Sequence, residues 1–398
     1  MTGPAVAAKA MFSGPPGLTF RQVLGTRTRE EIRPWFAPGD VCFVHRARTA
    51  IHHLRALAGC AAGDEILAPS YNCGTEIDAL LSGGFKVVLY GIDRAGGIDP
   101  GELEARLSER TRGVYVIHYF GFPQPLAEIR DWCDRRGLFL VEDCALGLFS
   151  AEGSRPLGST GDAAVFSLTK SLPVPDGGVL LLNNPGFHST SWPLESPEWA
   201  PVLAGLLPLV KSMLLREACG FPAGFRLLRA LLEKWRISGT GVAEEGSTSL
   251  PDMPPHYYFD MEMADKRAST MTLFLLRGID PAWVRERRRS NYFSYREPLR
   301  EAGIRPLYAD LPEGVCPLYY PVLVDDPGRM SRALNEKAIA AVAWWSGFHK
   351  GLPWEEHPEA RYLKEHVLAL PVHQDLGPEH VEHICRTIRE FLGKNGHR

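Results

Sequence analysis

Short apolar runs alternate with helix-like segments along the first half of the chain. The apolar runs have the length of buried strands and lie at residues 41–44, 66–68, 86–90, 114–117 and 138–141. The segments between them read as helices and lie at residues 48–57, 75–81, 99–107 and 126–136. Because strands that are separated by helices on short loops pair in parallel and are covered on both faces, the pattern predicts an α/β fold with a mostly parallel sheet.

The regular alternation ends after Asn184. The following stretch is rich in Leu and Pro, with helix-like pieces at residues 202–216 and 225–235. Its apolar residues predict core or a dimer interface, with a lipid- or carrier-facing lid as the alternative. Two helical patterns then follow, at residues 257–276 and 283–302. The tail reads as a strand at 318–324, a helix at 328–336, a strand at 339–345 and a helix at 378–392.

These patterns divide the 398 residues into three parts. We predict an N-terminal arm at 1–38 that contains one short helix at 28–35. A large domain at 39–280 with a helical insertion at about 186–250 follows, and then a smaller C-terminal α/β domain at 281–398. The helix at 283–302 is basic, and we expect most of its arginines to form a solvated face: Arg285, Arg287, Arg288 and Arg289.

Composition excludes several classes of function. A net charge of −3 gives no electrostatic reason to expect nucleic acid as a partner. The eight cysteines form no CxxC pair, so we expect no zinc site, no disulfide framework and a cytoplasmic protein with reduced thiols. The first ten residues do not read as a signal peptide. The apolar run at 199–210 is too short for a transmembrane segment.

An acid and a lysine follow two of the candidate strands. Asp143 ends the run that begins at Leu138, and Lys170 follows a second run at 163–168. Ligands of open α/β sheets gather at strand ends. A lysine that forms a Schiff base and an acid that protonates the pyridine nitrogen are what a pyridoxal phosphate (PLP) enzyme needs. The alternative is that both residues are solvated or paired at the surface.

The start of the first predicted helix offers a place for phosphate. Arg48 and Thr49 combine a guanidinium with a hydroxyl N-cap candidate. Free amides at a helix start bind phosphate. A plain N-cap is the alternative interpretation of this segment.

The order of motifs resembles that of the DegT/StrS-type sugar aminotransferases, a family of PLP fold type I, over roughly residues 40–395. The motifs that carry the resemblance are GDEILAPS at 63–70, VIHYFG at 116–121, VEDCA at 141–145, the stretch from Gly158 to Lys170, Gly177 to Asn183, and LPVH at 370–373. The resemblance therefore implies a PLP fold type I enzyme, and PLP as its cofactor.

Residue roles follow from the resemblance by position. It implies that Lys170 is catalytic, forming the internal aldimine with PLP, that Asp143 pairs with the pyridinium, and that Ser167 binds the phosphate. Arg48 and Thr49 fall in the phosphate-binding turn, and Cys73 falls where the family has an aromatic ring stacked on the cofactor. His118 is a further candidate for covering that ring, as is Tyr71. No metal is implied, and the family's shared sites imply a homodimer.

The chain departs from the family at several of these positions. Leu146 replaces a glutamine, Cys73 replaces the stacking aromatic, and Tyr258-Phe259-Asp260 replaces an Asn-x-Arg motif. The spacing from Ser167 to Lys170 is also shorter by two residues. The favoured function is transfer of an amino group from an amino acid to a keto acceptor, such as a keto sugar or another biosynthetic intermediate. The alternatives are a PLP-dependent lyase, decarboxylase or C–C bond-forming enzyme, and a non-catalytic PLP-fold interaction protein.

Overall fold

The computed structural model describes residues 16–24, 32–36, 39–187, 192–217, 253 and 257–395. The strands of the first half are β1 (Asp40–Val44), β2 (Glu65–Pro69), β3 (Lys86–Tyr90), β4 (Thr111–Ile117), β5 (Phe139–Asp143), β6 (Ala151–Glu152), β7 (Arg155–Pro156), β8 (Ala163–Ser167) and β9 (Gly178–Leu182). The helices are α1 (Phe20–Val23), α2 (Ala47–Leu57), α3 (Thr75–Ser82), α4 (Pro100–Ala105), α5 (Leu126–Asp134), α6 (Leu168–Ser171) and α7 (Trp199–Glu217), with 3-10 turns at Arg33–Phe36 and Tyr119–Gly121.

Seven of these strands form one large sheet in the order β1-β9-β8-β5-β4-β2-β3. Five neighbouring strands pair in parallel, namely β3, β2, β4, β5 and β8. By contrast, β9 runs antiparallel to both β8 and β1. Every residue of β2, β8 and β9 is buried, as expected for strands covered on both faces. The predicted α/β fold with a mostly parallel sheet is confirmed.

The second half forms a smaller sheet with its own helices. Its elements are α8 (Thr270–Leu276), α9 (Pro281–Glu301), β10 (Arg305–Pro306), β11 (Tyr319–Leu323), α10 (Pro327–Glu336), β12 (Val342–Ala343), α11 (Pro358–His366), β13 (Val367–Pro371) and α12 (Pro378–Asn395), with 3-10 turns at Met261–Met263 and Trp354–Glu356. The sheet is antiparallel, in the order β10-β11-β13-β12. A second, smaller α/β unit is thus present, while its exact boundary stays a prediction.

Three of the predicted elements need correction. The strand expected at 339–345 is limited to β12, because Ala338 and Trp345 have φ angles of 62° and 51°, which bend the chain at both ends. The single helix expected at 257–276 is split, because the backbone near Lys266 and Ala268 bonds to the end of β1. The expected helix at 28–35 is described only from residue 32, where it forms a 3-10 turn. The helix expected at 225–235 and most of the insertion lie outside the described residues.

One buried apolar cluster runs from the large sheet into the small one. It includes Val114 and Leu140 in the first sheet and Val322 and Leu368 in the second. The Leu318 amide also donates to the Phe120 carbonyl at 2.9 Å, just beyond the end of β4. The small sheet therefore packs against the edge of the large sheet where β4 ends. Within the described ranges, every helix is too short or too polar to span a bilayer.

Candidate active site

Four parallel strands bring their carboxyl ends to one edge of the large sheet. In the order β8-β5-β4-β2 they are neighbours, so the residues that follow them meet at that edge. The predicted site residues Lys170, Asp143, His118 and Cys73 all lie within four positions of these strand ends or at them. The sheet topology therefore places these four positions at one edge of the sheet.

Asp143 ends β5 as a buried carboxylate with two fixed hydrogen bonds. The Tyr115 hydroxyl donates to its Oδ2 at 2.7 Å, and the Ala145 amide donates to its Oδ1 at 2.8 Å. Burial raises the pKa of Asp143, whereas the charge of Lys170 lowers this pKa and that of Glu76 raises it. A carboxylate has about four lone-pair sites, so Asp143 can still accept a hydrogen bond from a ligand.

Lys170 lies on the short helix α6 and its side chain is exposed. Within the described part of the chain, its amine has no hydrogen-bond or ionic partner. Although burial raises the pKa values of Asp143, Cys73 and Tyr257, the positive charge of Lys170 lowers all three. The amine therefore lies near these groups and is open to a ligand.

His118 is held by hydrogen bonds on the other side of the strand from Asp143. The Gln124 amide donates to its Nδ1 at 3.1 Å, so Nε2 carries the hydrogen and donates to Glu142 Oε2, also at 3.1 Å. Because neighbouring residues of a strand point to opposite faces, Glu142 and Asp143 point away from each other. The structure thus does not bring the His118 ring to the Asp143 carboxylate, and its part in cofactor binding stays a prediction.

Glu142 is a buried carboxylate that organises the backbone beyond the hairpin of β6 and β7. Besides His118, it accepts hydrogen bonds from the amides of Gly158, Thr160 and Gly161. Burial alone would raise the pKa of Glu142, but the bonds from His118 and from the amides bring it below the ordinary value. Cys144 lies near His118 and Glu142, so that the three side chains have the spacing of a set of metal ligands. Since the Glu142 oxygens already have several donors, we interpret the group as a hydrogen-bond network.

The start of α2 lies at the same edge and has no side-chain cap. Its N-cap residue, Arg46, has extended backbone angles and makes no side-chain cap hydrogen bond. Gly178, the first residue of β9, packs so closely on this helix start that a Cβ there would meet the Ala47 nitrogen. Amides at such an uncapped start are suited to bind an anion.

The three predicted phosphate-binding side chains are arranged around this helix start. Arg48 donates to the backbone carbonyls of Tyr257 and Tyr258 at 3.2 and 3.3 Å. The buried Thr49 hydroxyl donates to the Met263 carbonyl at 3.2 Å. Ser167, at the end of β8, lies 3.4 Å from the Thr169 hydroxyl. The donor capacity of Thr49 is thus engaged within the protein, while Ser167 makes only a weak contact; neither role in binding phosphate is tested.

Cys73 is paired with a third buried acid of this region, Glu76, which the sequence interpretation missed. The Cys73 thiol donates to Glu76 Oε2 at 2.6 Å, and the Cys73 amide donates to Oε1 at 2.9 Å. Burial, followed by the charge of Glu76, raises the pKa of Cys73 to about 12, so the thiol is neutral at ordinary pH. An acid in the first turn of the helix expected at 75–81 was the available signal, because such acids often bond to the amides before a helix.

Tyr71, the other candidate for covering a cofactor ring, packs into an aromatic cluster. Its ring centre lies 5.2 Å from those of Tyr119 and Trp345, and the Tyr119 hydroxyl donates to its carbonyl at 2.7 Å. With Cys73 bonded to Glu76, the residues expected to cover a ring are engaged elsewhere. Tyr257 is a further candidate site residue that the sequence interpretation did not single out. It is half-exposed and lies close enough to Lys170 for that charge to lower its pKa.

The donor set fits PLP at three points of that molecule. An accessible amine, a buried carboxylate and an uncapped helix start match its aldehyde, its pyridine nitrogen and its phosphate. Leu146, which is buried at 2% exposure, offers no hydrogen bond to the ring. Groups that can bind the aldehyde, the pyridine nitrogen and the phosphate of PLP are thus present, whereas its ring face and phenolic oxygen have unusual neighbours.

Comparison with known proteins gives an independent view of the chain. Residues 41–196 match the DegT/DnrJ/EryC1/StrS aminotransferase family. The L-glutamine:scyllo-inosose aminotransferase of Streptomyces griseus is 35% identical over 129 residues, which are 32% of this chain and 30% of that protein. The chain spans no more than 39% of the length of the first curated relatives that it matches.

Solved structures extend the likeness to the whole chain. The aminotransferase TlmJ from Streptoalloteichus hindustanus has a TM-score of 0.63 and 21% identity, over 100% of this chain and 98% of that one. A Streptococcus pneumoniae protein assigned as a sugar aminotransferase, solved in its PLP form, has a TM-score of 0.66 and 16% identity, over 96% of this chain and 98% of that one. At these identities the likeness concerns the fold, which is that of fold type I PLP enzymes.

Proposed function

We propose that this chain, whose residues 41–196 match the DegT/DnrJ/EryC1/StrS aminotransferase family, is a divergent member of that family and a PLP-dependent aminotransferase. It would transfer the amino group of an amino acid to a keto acceptor. The observation that carries the proposal is the placement of Asp143 and Lys170 at the ends of adjacent parallel strands, β5 and β8. A keto sugar or keto cyclitol is the proposed class of acceptor, since the Streptomyces relative is named for an inosose.

Each residue has a distinct task in this proposal. Lys170 would bind the aldehyde group of PLP and would move a proton at the α-carbon of the substrate. Asp143 would accept the hydrogen bond of the pyridine nitrogen, and Tyr115 keeps the carboxylate oriented for that purpose. When bound, PLP supplies the electron sink that stabilises negative charge at the α-carbon.

The phosphate of PLP would lie at the start of α2. Free amides and the positive end of the helix dipole favour an anion there. Ser167 adds a hydroxyl at the neighbouring strand end, and the guanidinium of Arg48 adds positive charge. We also propose a homodimer in the cytoplasm. The seven cysteines within the described residues are free thiols, which supports a reducing compartment.

Reconstitution with PLP tests the proposal. We expect the wild-type protein to take up PLP with a visible absorbance band, and Lys170→Ala to lose that band. Lys337→Ala, at an exposed lysine in the C-terminal unit, is the matched control and should keep it. Adding glutamate or glutamine should convert the bound PLP to pyridoxamine phosphate. A wild-type protein that takes up no PLP would refute the enzyme function and favour the non-catalytic alternative.

A PLP-dependent lyase, decarboxylase or C–C bond-forming enzyme is the second candidate. The Cys73–Glu76 pair at the position of a stacking aromatic favours it, because a changed ring environment alters which bond at the α-carbon is weakened. The same reconstituted protein distinguishes the two functions. Release of CO₂ or a cleavage product from an amino acid, without pyridoxamine phosphate, would identify the second candidate.

A further inference from the structure

Helix α6, which carries Lys170, is too short to hold its own position. An isolated helix needs about 12–15 residues to be even marginally stable, and α6 has four. Its first amide, from Leu168, donates to the Gly177 carbonyl at 3.0 Å. At its other end the Ser171 carbonyl accepts two hydrogen bonds, from Arg288 Nη2 at 3.1 Å and from Gln374 Nε2 at 3.2 Å. The residue next to Lys170 is therefore fixed by side chains from the C-terminal part of the chain.

Arg288 is a charged residue whose burial costs solvation free energy, and its hydrogen-bond partners are unusual. The side chain is 1% exposed. Its Nε donates to Gln374 Oε1 at 3.0 Å, and its Nη1 donates to the carbonyls of Pro317 and Leu318 at 3.2 and 3.3 Å. Among the described residues, all of its hydrogen-bond acceptors are neutral. Burial lowers the pKa of Arg288, and the charge of the nearby Asp375 raises it, but within the described residues no carboxylate bonds to the guanidinium. Because a buried charge without a directly bonded counter-ion is a poor source of stability, a role in the site explains its presence better than a contribution to folding.

The position of Arg288 also contradicts the sequence expectation of a solvated face on this helix. The neighbouring Arg289 is only partly buried and donates to the carbonyls of Pro312 and Val315, away from α6. Arg288 faces inward instead, where it joins the lysine helix to the segment that enters β11. That segment is bonded in turn to Phe120, beyond the end of β4.

We propose that Arg288, together with Gln374, is a positioning residue for Lys170. The pair fixes the last carbonyl of α6, and thereby the direction of the Lys170 side chain, without contacting the substrate. The fork of the guanidinium allows one side chain to bond three separate segments at once. The inference rests on the proposed function for its catalytic meaning, but its structural part is independent of PLP.

Hydrogen exchange in the cofactor-free protein tests the structural part. The Leu172 amide donates to the Leu168 carbonyl and so reports whether α6 is formed. In Arg288→Met we expect this amide to exchange about tenfold faster or more, while amides of β5 are unchanged. Arg289→Met, which also loses two carbonyl contacts, should leave the Leu172 amide as it is. Equal exchange in wild type and Arg288→Met would overturn the proposal.

Gln374→Glu is a second variant that should fold even if Arg288→Met does not. The new carboxylate keeps an acceptor for Arg288 but loses the Nε2 donor to the Ser171 carbonyl. We expect faster exchange at Leu172 here too, with a melting temperature near that of wild type because Arg288 gains an ion pair. Unchanged exchange at Leu172 in this variant would also contradict the proposal.

The catalytic part is tested on the protein loaded with PLP. In both variants we expect borohydride to trap PLP on Lys170 about tenfold more slowly, and kcat to fall while KM for the amino donor changes little. A purely structural role would leave trapping and kcat per folded molecule unchanged, which would count against the inference. If the wild type takes up no PLP, the proposed function fails, whereas the exchange result still decides whether Arg288 positions α6.

Discussion

At the scale of single residues, the ionisation of Asp143 depends on opposing neighbours. Burial and the charge of Glu76 raise its pKa, while Lys170, the Tyr115 hydroxyl and the Ala145 amide lower it. The carboxylate must be ionised to pair with a protonated pyridine nitrogen. Tyr115 points to the same face as Asp143 because the two strands pair Tyr115 with Val141 and Ile117 with Asp143.

Tyr115→Phe should raise the pKa of Asp143 further, since a donor to the charged form is lost. The protonated, unproductive form then persists to higher pH. We expect PLP affinity to fall by about tenfold near pH 6 and by less near pH 8. Titration with PLP at the two pH values measures this. Tyr90→Phe, which removes a buried hydroxyl bonded to the Tyr115 carbonyl, is the control; an equal loss in both variants would contradict the expectation.

At the scale of elements, the contact between β9 and α2 shapes the proposed phosphate site. Gly178 lies where any side chain would press on the first residues of the helix. The strand can approach the helix start only because this residue has no Cβ. The uncapped amides of α2 are thereby held at the same edge of the sheet as Lys170.

Gly178→Ala should displace the start of α2 and weaken PLP binding. We expect about a tenfold loss of PLP affinity and a loss of about 1–3 kcal/mol in the free energy of unfolding, as for other overpacked sites. Gly393→Ala in α12, where an added Cβ meets nothing within 4 Å, should leave PLP affinity unchanged. PLP titration and urea denaturation measure the two effects, and wild-type affinity in Gly178→Ala would disprove the role of this contact.

At the scale of the whole molecule, a buried lysine connects the C-terminal unit to the loop that follows β2 of the large sheet. Lys364 lies on α11 and its amine donates to the carbonyls of Asn72, Trp345 and Gly347 at 2.5, 2.8 and 2.6 Å. Asn72 is adjacent to Cys73 in the loop after β2, so the lysine fixes the C-terminal unit to a loop of the candidate active site. Burial lowers the pKa of Lys364 to about 7, although the nearby Cys73 and Glu76 raise it.

Lys364 should make stability depend on pH in a definite direction. The unfolded chain keeps the ordinary lysine pKa of 10.5, so between about pH 7 and pH 10.5 it binds more protons than the folded chain. The free energy of unfolding should then rise with pH, by up to about 1.4 kcal/mol per unit. Urea denaturation at about pH 7 and about pH 9 should show this rise in the wild type relative to Lys364→Met. If the free energy of unfolding depended on pH equally in both proteins, this role of Lys364 would be refuted.

The sequence pattern predicted the large sheet and the candidate residues at two of its strand ends, because apolar runs and the residues that follow them are local features of the sequence. Asp143 and Lys170 could be found in this way. Arg288 could not be assigned, and Glu76 had only its place in the first helical turn as a signal, since an acid at a helix start or an arginine on a basic helix is usually solvated. Their burial depends on segments far away in the chain. The bend at Trp345, which shortened the predicted strand 339–345, likewise depends on packing of its ring against Tyr71.

The anchoring of α6 has a consequence for biosynthesis. Ser171 is 117 residues from Arg288 and 203 residues from Gln374. A ribosome therefore releases the lysine helix well before either of its anchors has been made. Since contacts between distant residues form late in folding, the nascent large sheet would emerge with an unfixed Lys170. The proposed capture of PLP would then take place on the completed chain, after β13 has joined the small sheet.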